Sequence, residues 1–510
     1  MSNHLFDTLF SGISTDKLLI QLADGGRWSY GDILRETAKV ANALVAAGVG
    51  PGDRVAVQID KSVSAIALYL GTVRAGAVFL PLNTAYTANE IEYFVNDAEP
   101  ALLVCRAAAE AALRPIADKA GFRIETLEAD GNGGSWATMV EAGATVYDTI
   151  ERGKDDLAAI LYTSGTTGRA KGAMITHDNL ASNAQTLGEL WQFSSDDVLL
   201  HALPIFHTHG LFVATNTVLV TGGSMLFLTK FDSDEVVSLL PRATVMMGVP
   251  TFYTRLLDHP GFTNDLTRNM RLFISGSAPL LEETHIAFSE RTGMAILERY
   301  GMTETNMNTS NPYDGDRRAG TVGYPLPDVT IRVTDPDNGM RLPLGEIGML
   351  EVRGPNVFKG YWRMPEKTAE EFRADGYFIT GDLGKIDNQN YVTIVGRGKD
   401  LIISGGFNVY PKEVEIEIDL LPGVIESAVI GLPHPDFGEG VTAVVVARQD
   451  NITDETDIKM QLAEKLARFK QPKRIFFCDA LPRNSMGKVQ KNLLREQYKD
   501  IYIGSTTPSP

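Results

Sequence analysis

The chain has 510 residues, 44% apolar and 22% charged, enough for several domains around a substantial buried core. Its 47 Lys and Arg face 64 Asp and Glu, a formal charge of −17. This excludes a general nucleic-acid or anionic-membrane surface, so local groups must hold any anionic ligand against the overall field.

The first segment, MSNHLFDTLFSG, has no basic leader followed by a long apolar run, so no secretory signal is expected. YGDILRETAKVANALVAAG carries apolar residues at helical spacing and ends in Gly, and PGDRVAVQ turns into a strand. AIALYLGTVRAGAVFLPL and TANEIEYFVNDAEPALLVCRA repeat the alternation, which predicts α/β layers with partly parallel sheets. The most apolar stretch, LFVATNTVLVTGGSMLFL, is broken by Asn and paired Gly, so no membrane span is expected and the cytoplasm is the expected compartment. Only two cysteines occur, Cys105 and Cys478, which exclude a disulfide framework and a CxxC zinc site.

After about residue 330, TIRVTDPDNGMRLPLGEIGMLEVRG reads as short strands and turns, a small β unit. GRGKDLIISGGFN is glycine-rich, and DIKMQLAEKLARFKQPKRIFFC predicts a helix with Leu462, Leu466 and Phe469 on one side, then a strand. A boundary is expected near Lys399. It gives a large domain over 1–398, of layered mixed sheets and helices with the small β unit, and a small mobile α+β domain over 399–510.

YTSGTTGRAKG, residues 162–172, runs from a strand into a loop where three glycines permit close backbone approach. Thr163, Ser164, Thr166 and Thr167 offer hydroxyls and amides to phosphate oxygens, and Lys171 adds a charge. The spacing is not that of a Walker A loop, and on composition alone a surface turn fits equally well.

With the motifs that follow it in order, this loop resembles that of the adenylate-forming acyl-CoA synthetase superfamily over nearly the whole chain. Ala170 stands where the family usually has Pro, which removes a backbone constraint and no phosphate-binding group. The resemblance implies the acyl-adenylate synthetase fold, with ATP and coenzyme A as co-substrates and Mg2+ as cofactor. It places Thr163, Ser164, Gly165, Thr166, Thr167, Gly168 and Lys171 around the phosphates, and Ser277 and Ala278 of GSAPL beside adenine. Tyr300, Gly301 and Thr303 of YGMTET line the nucleotide turn, with Thr303 at the α-phosphate and Glu304, alongside Thr163, at magnesium. Asp382 of YFITGD and Arg397 of GRGKD are expected at the ribose, Lys399 at the hinge, and Lys488 of PRNSMGKVQK as the adenylation lysine. Gly405, Gly406 and Phe407 are expected on the coenzyme A channel.

PIFHTHGL resembles the family's acyl-pocket segment and holds no carboxylate for a substrate ammonium, which disfavours an amino acid substrate. Arg299 precedes Tyr300 at the depth where a short acyl chain ends, and a guanidinium is costly to bury in a pocket for an apolar tail. This resembles the dicarboxylate-specific, malonate-activating branch, in which Arg299, His207 and Ser277 bind the distal carboxylate and Met302 packs along the chain. One methyl group is worth only about 1–3 kcal/mol in a pocket, so methylmalonate is carried as a second acid. The alternatives are a short- or medium-chain or aryl acyl-CoA synthetase and a non-catalytic nucleotide-binding protein. The expected partners are malonate, ATP and coenzyme A, with no nucleic acid, and a lysine acetyltransferase or deacetylase acting on Lys488.

Overall fold

The computed structural model describes residues 2–163, 170–404, 407–448, 454–463, 465–484 and 487–502. Chain contacts divide it into two compact units, Met1–Thr330 with Val352–Phe378, and Ile331–Glu351 with Ile379–Pro510.

The first unit is built on two sheets. In the six-stranded sheet the strands run in the order Arg123–Leu127, Leu102–Arg106, Arg54–Gln58, Val78–Pro81, Leu157–Thr163 and Lys171–Thr176. All neighbours pair in parallel except the last two, which form an antiparallel hairpin. The parallel strands are buried on both faces (VFLP of Val78–Pro81 is wholly buried), as helices on either side of a sheet require. Leu157–Thr163 and Lys171–Thr176 flank the glycine-rich segment in the sequence, of which Ser164, Gly165, Thr166, Thr167 and Gly168 lie outside the described residues. Beyond it, Thr176 and Asn179 form a reciprocal capping box that starts the helix His177–Leu190.

The nine-stranded sheet is parallel through its centre, where Leu272–Ser275 pairs on one edge with Leu297–Met302. Leu297–Met302 then pairs antiparallel with Asn306–Ser310, and the register shifts between Tyr300 and Gly301. A Cβ at Gly301 would fall 1.7 Å from the Asn306 carbonyl oxygen, so only glycine fits this crossing.

The second unit contains most of a four-stranded sheet, Thr330–Thr334, Gly348–Arg353, Phe378–Ile386 and Val392–Arg397 in that order. The small β unit expected with residues 1–398 therefore groups with the C-terminal segment, because its strands pair with those leading to Arg397 rather than with the large sheets. Residues beyond Lys399 add a five-stranded sheet whose longest hairpin joins Val424–His434 to Gly438–Ala447. The predicted helix near 457–469 spans Glu455–Ala463 only, yet Leu462, Leu466 and Phe469 all pack on the same core. Among the described residues no helix is long and apolar enough to cross a membrane.

Candidate functional site

Two clusters of buried polar groups meet the Leu297–Met302 strand and the turn that follows it. The first gathers around Arg299. Parallel pairing sets Glu298 opposite Ser275, and strand alternation sends Arg299 to the other face, over Gly276. A Cβ on Gly276 would lie 2.3 Å from the guanidinium, so the absent side chain is what makes room for it. Arg299 is 4% exposed, and its Nε and Nη2 are buried without an acceptor. Glu298 does not serve it, since that carboxylate stands 3.3 Å from His285 Nδ1. Burial pushes the guanidinium down to about 9, with Tyr253 opposing, so the group carries its charge at neutral pH.

Ser277, next in sequence, adopts φ +72°, a left-handed conformation uncommon for a serine. Its hydroxyl lies 3.1 Å from Nδ1 of His209. His209 opens a π-helical turn, His209–Thr215, and its Nε2 is buried with no partner. Burial and the charge of Arg299 hold its ring well below the usual histidine range, so the imidazole is neutral. The histidine beside the Ser277 hydroxyl is thus His209. His207 is half-buried two residues away, its ring 4.8 Å from that of Phe206, and its charge adds a minor push in the same direction on His209. Met302 is half-buried at the end of the Arg299 strand. Ala278 and Tyr300 are likewise half-buried flanks of the cluster.

The second cluster lies across the 303–305 turn. Glu304 is buried, and its Oε1 accepts from the hydroxyls of Thr163 at 3.3 Å and Tyr361 at 3.1 Å. Thr303, half-buried, occupies the turn itself. Lys171 is largely buried, with its ammonium 2.8 Å from Glu371 Oε1 and 3.9 Å from the centre of the Tyr361 ring. The single Tyr361 hydroxyl proton is shared with Glu371 Oε2, the nearer acceptor at 2.6 Å. Burial works to raise the Glu371 carboxyl, but Lys171, Tyr361 and Lys367 outweigh it and hold the group below its ordinary range. Tyr361 and Glu371 carry no signal in the sequence near Lys171, some 200 residues away.

In the second unit, Asp382 and Arg397 stand opposite each other on paired strands and join in an ion pair at 2.8 Å. The Asp382 amide also donates to the Thr380 hydroxyl at 3.0 Å. Lys399 lies in a short 3-10 turn, Gly398–Asp400, whose Asp400 is paired with Arg495 at 2.6 Å. Gly405 and Gly406 lie outside the described residues. Phe407, more than half exposed, stacks on Phe469 at 4.7 Å. Lys488 is exposed, with its amide donating to Asn484 Oδ1 at 2.9 Å and its carbonyl accepting from the Asn484 amide at 2.9 Å.

The family described as AMP-binding enzyme matches residues 14–362, and the AMP-binding enzyme C-terminal domain matches residues 413–488. ATP-bound MatB from Rhodopseudomonas palustris superposes with a TM-score of 0.97 at 62% identity, covering 98% of this chain and 100% of that one. Malonate–CoA ligase of Arabidopsis thaliana is 34% identical over 98% of this chain and 91% of its own. Feruloyl-CoA synthase of an Amycolatopsis is 35% identical over 93% and 94%. The layered large domain and small α+β domain are those of the acyl-adenylate synthetase fold. One expectation is withdrawn. These matches identify the chain by an acyl-CoA ligase fold that works on small molecules, and nothing in them supports a lysine acetyltransferase or deacetylase as partner at Lys488.

Proposed function

This chain belongs to the AMP-binding enzyme family, and we infer that it is an ATP-dependent acid–thiol ligase that makes malonyl-CoA from malonate and coenzyme A, releasing AMP and pyrophosphate. Overall similarity already favours malonate, since MatB of Rhodopseudomonas palustris is 62% identical over 98% of this chain against 35% for feruloyl-CoA synthase. The observation that carries the choice is Arg299, a buried guanidinium with two nitrogens lacking an acceptor. An apolar or aromatic tail would leave those donors unpaired, at a cost of about 1–3 kcal/mol or more, whereas a carboxylate two carbons from the reacting one satisfies them in a bidentate pair. The neutral His209–Ser277 pair adds one further donor, the Nε2–H of His209 when Ser277 donates to Nδ1, or the Ser277 hydroxyl when Nδ1 donates to it. Met302 fits a short chain.

In the first step a malonate oxygen attacks the α-phosphorus of ATP. A P–O bond forms, the bond to the β-phosphate oxygen breaks, and pyrophosphate leaves. We assign Lys171 and the 163–168 loop to the phosphates, Lys488 and Thr303 to the α-phosphate, and Asp382 with Arg397 to the ribose. Tyr300, Gly301, Ser277 and Ala278 border the adenine. Cations facing the phosphates oppose the charge that builds in the transition state. In the second step the thiol sulfur of coenzyme A attacks the acyl carbon, AMP departs with the former acyl oxygen, and the thiol proton passes to solvent. We place coenzyme A along Gly405, Gly406 and Phe407. Lys399 lies between the two family matches and is the proposed hinge by which 399–510 exchanges roles between the steps.

Mg2+ is the proposed cofactor. Glu304 and Thr163 form an adjacent pair of hard oxygen donors, which fits an ion that takes one or two protein carboxylates and completes its shell with phosphate oxygens and water. When bound, it would neutralise phosphate charge. Among the described residues no group of three or more His, Cys, Asp or Glu could hold a metal, so those other ligands would come from the nucleotide and solvent. The two free cysteines fit the reducing cytoplasm, the compartment we propose.

The test is ATP- and CoA-dependent turnover on malonate, methylmalonate, succinate, acetate, butyrate, octanoate and coumarate, for the wild type and Arg299→Ala. Malonate preference in the wild type and its loss in the variant are expected. A wild-type preference for monocarboxylates, little changed in Arg299→Ala, would keep the ligase chemistry and remove malonate.

A further inference from the structure

The residue assigned to adenylation, Lys488, stands on a stem held from both sides by ion pairs that no step of the reaction uses. On the incoming arm, Arg483 is paired with Glu426 on the strand Val424–His434, and its Nη1 donates to the Gly487 carbonyl at 2.5 Å. The Arg483–Val489 bridge and the Gln490 amide to the Pro482 carbonyl, at 2.8 Å, close the stem. On the outgoing arm, Lys491 begins the helix Lys491–Tyr498 and reaches Glu415 Oε1 at 2.5 Å. Glu415 is buried on the helix Pro411–Asp419 and also accepts from the Val429 amide at 2.9 Å. Lys412 stands 3.9 Å from it.

A buried carboxylate is an expensive way to hold a helix start, since a well-packed apolar pair does as much for stability. What an ion pair adds is direction, fixing one geometry. An exposed lysine loses considerable rotamer freedom when it docks on a phosphate, so its reach depends on how firmly its backbone is placed.

We propose that Glu415 with Lys491, and Glu426 with Arg483, are positioning residues for adenylation that fix the stem from which Lys488 reaches the α-phosphate. This rests on Lys488 being the adenylation lysine. Neither carboxylate touches substrate. Their effect falls on the first step alone, because only that step requires the Lys488 ammonium at the reacting phosphorus.

The two half-reactions are measured separately on the full-length chain: malonate-dependent pyrophosphate–ATP exchange, and malonyl-CoA formation from supplied malonyl-adenylate and coenzyme A. The variants are Glu415→Gln, Lys491→Met, Lys491→Arg, Arg483→Met and Lys488→Ala. Glu415→Gln and Lys491→Met are expected to slow exchange about tenfold with malonate KM within twofold and the second half-reaction within twofold, and Lys491→Arg to restore exchange. Arg483→Met, at the less buried pair, provides the same reading should Glu415→Gln fail to fold. Equal loss in both half-reactions, or no loss in exchange, would overturn the proposal. Lys488→Ala separates the premise from it: exchange retained in that variant removes the role of Lys488. Exchange lost there but intact in the clamp variants removes the clamp alone.

Discussion

Two buried basic side chains of the first unit, Arg299 and Lys171, are treated in opposite ways. Arg299 is enclosed with donors that no protein group accepts, whereas Lys171 is held by Glu371 and covered by the Tyr361 ring. The difference corresponds to what each is proposed to meet. An acid whose distal charge identifies it is best recognised by a hole in the hydrogen bonding that a monocarboxylate leaves unfilled. A nucleotide phosphate, common to every turnover, requires no such discrimination, and a resident carboxylate keeps the lysine solvated until the phosphate replaces it.

The largest effect expected from breaking this contrast is at the unpaired cation. Arg299→Met should lower malonate kcat/KM about 10²–10³-fold, the range for truncating one partner of a buried charge pair. The same variant should melt higher than the wild type without substrate, since it removes a desolvated charge with unpaired donors. Calorimetry with and without malonate checks both signs. Next comes His209→Ala, expected to raise malonate KM about tenfold, the worth of one hydrogen bond to a charged group, with ATP KM within twofold. An equal change in His207→Ala would assign the donor to both histidines. The paired cation is probed by Glu371→Gln. Freeing Lys171 should lower ATP KM by about two- to fivefold, since the net worth of an ion pair after desolvation is on the order of 1 kcal/mol. A raised ATP KM would instead make Glu371 an aid to nucleotide binding.

The smallest expected effect lies outside both clusters. Asp419 is buried in the second unit, and burial pushes its carboxyl up to about 7, with Lys412 and the Ser427 hydroxyl, 2.7 Å away, opposing. A carboxyl raised above its unfolded value favours folding fully only below about pH 4 and loses that contribution as pH rises to 7. Asp419→Asn should therefore melt about 2–4 °C higher at pH 8 and be indistinguishable from the wild type at pH 4.

What was readable from the sequence was local. The glycine-rich loop and ERYGMTET each compress turn chemistry and charge into a few residues, and Arg299 could be singled out because a guanidinium is out of place in an apolar pocket. Nothing in the sequence sets His209 apart from His207, two residues before it. In an extended segment the two would share a face, but the chain turns into a π-helix at His209, and deeper burial with a hydroxyl 68 residues away distinguishes it. Glu371 and Tyr361 were invisible for a similar reason, because an ion pair across about 200 residues leaves no spacing to read. The grouping of the small β unit depended on strand pairing across separate segments, which periodicity within one strand does not specify.

Gly276 and Arg299 share one volume, and that gives any drift in acid preference a direction. A lineage that first replaces Gly276 by Ala drives a methyl group into the guanidinium and pays in folding before any new acid is gained. One that first shortens Arg299 opens a cavity, relieves a buried charge, and leaves Gly276 free to be filled afterwards. Descent from dicarboxylates toward monocarboxylates is thus stepwise downhill in stability cost, while the return requires the glycine to be restored before the arginine can fit. Laboratory selections for new acids should find the Arg299 change ahead of any change at Gly276.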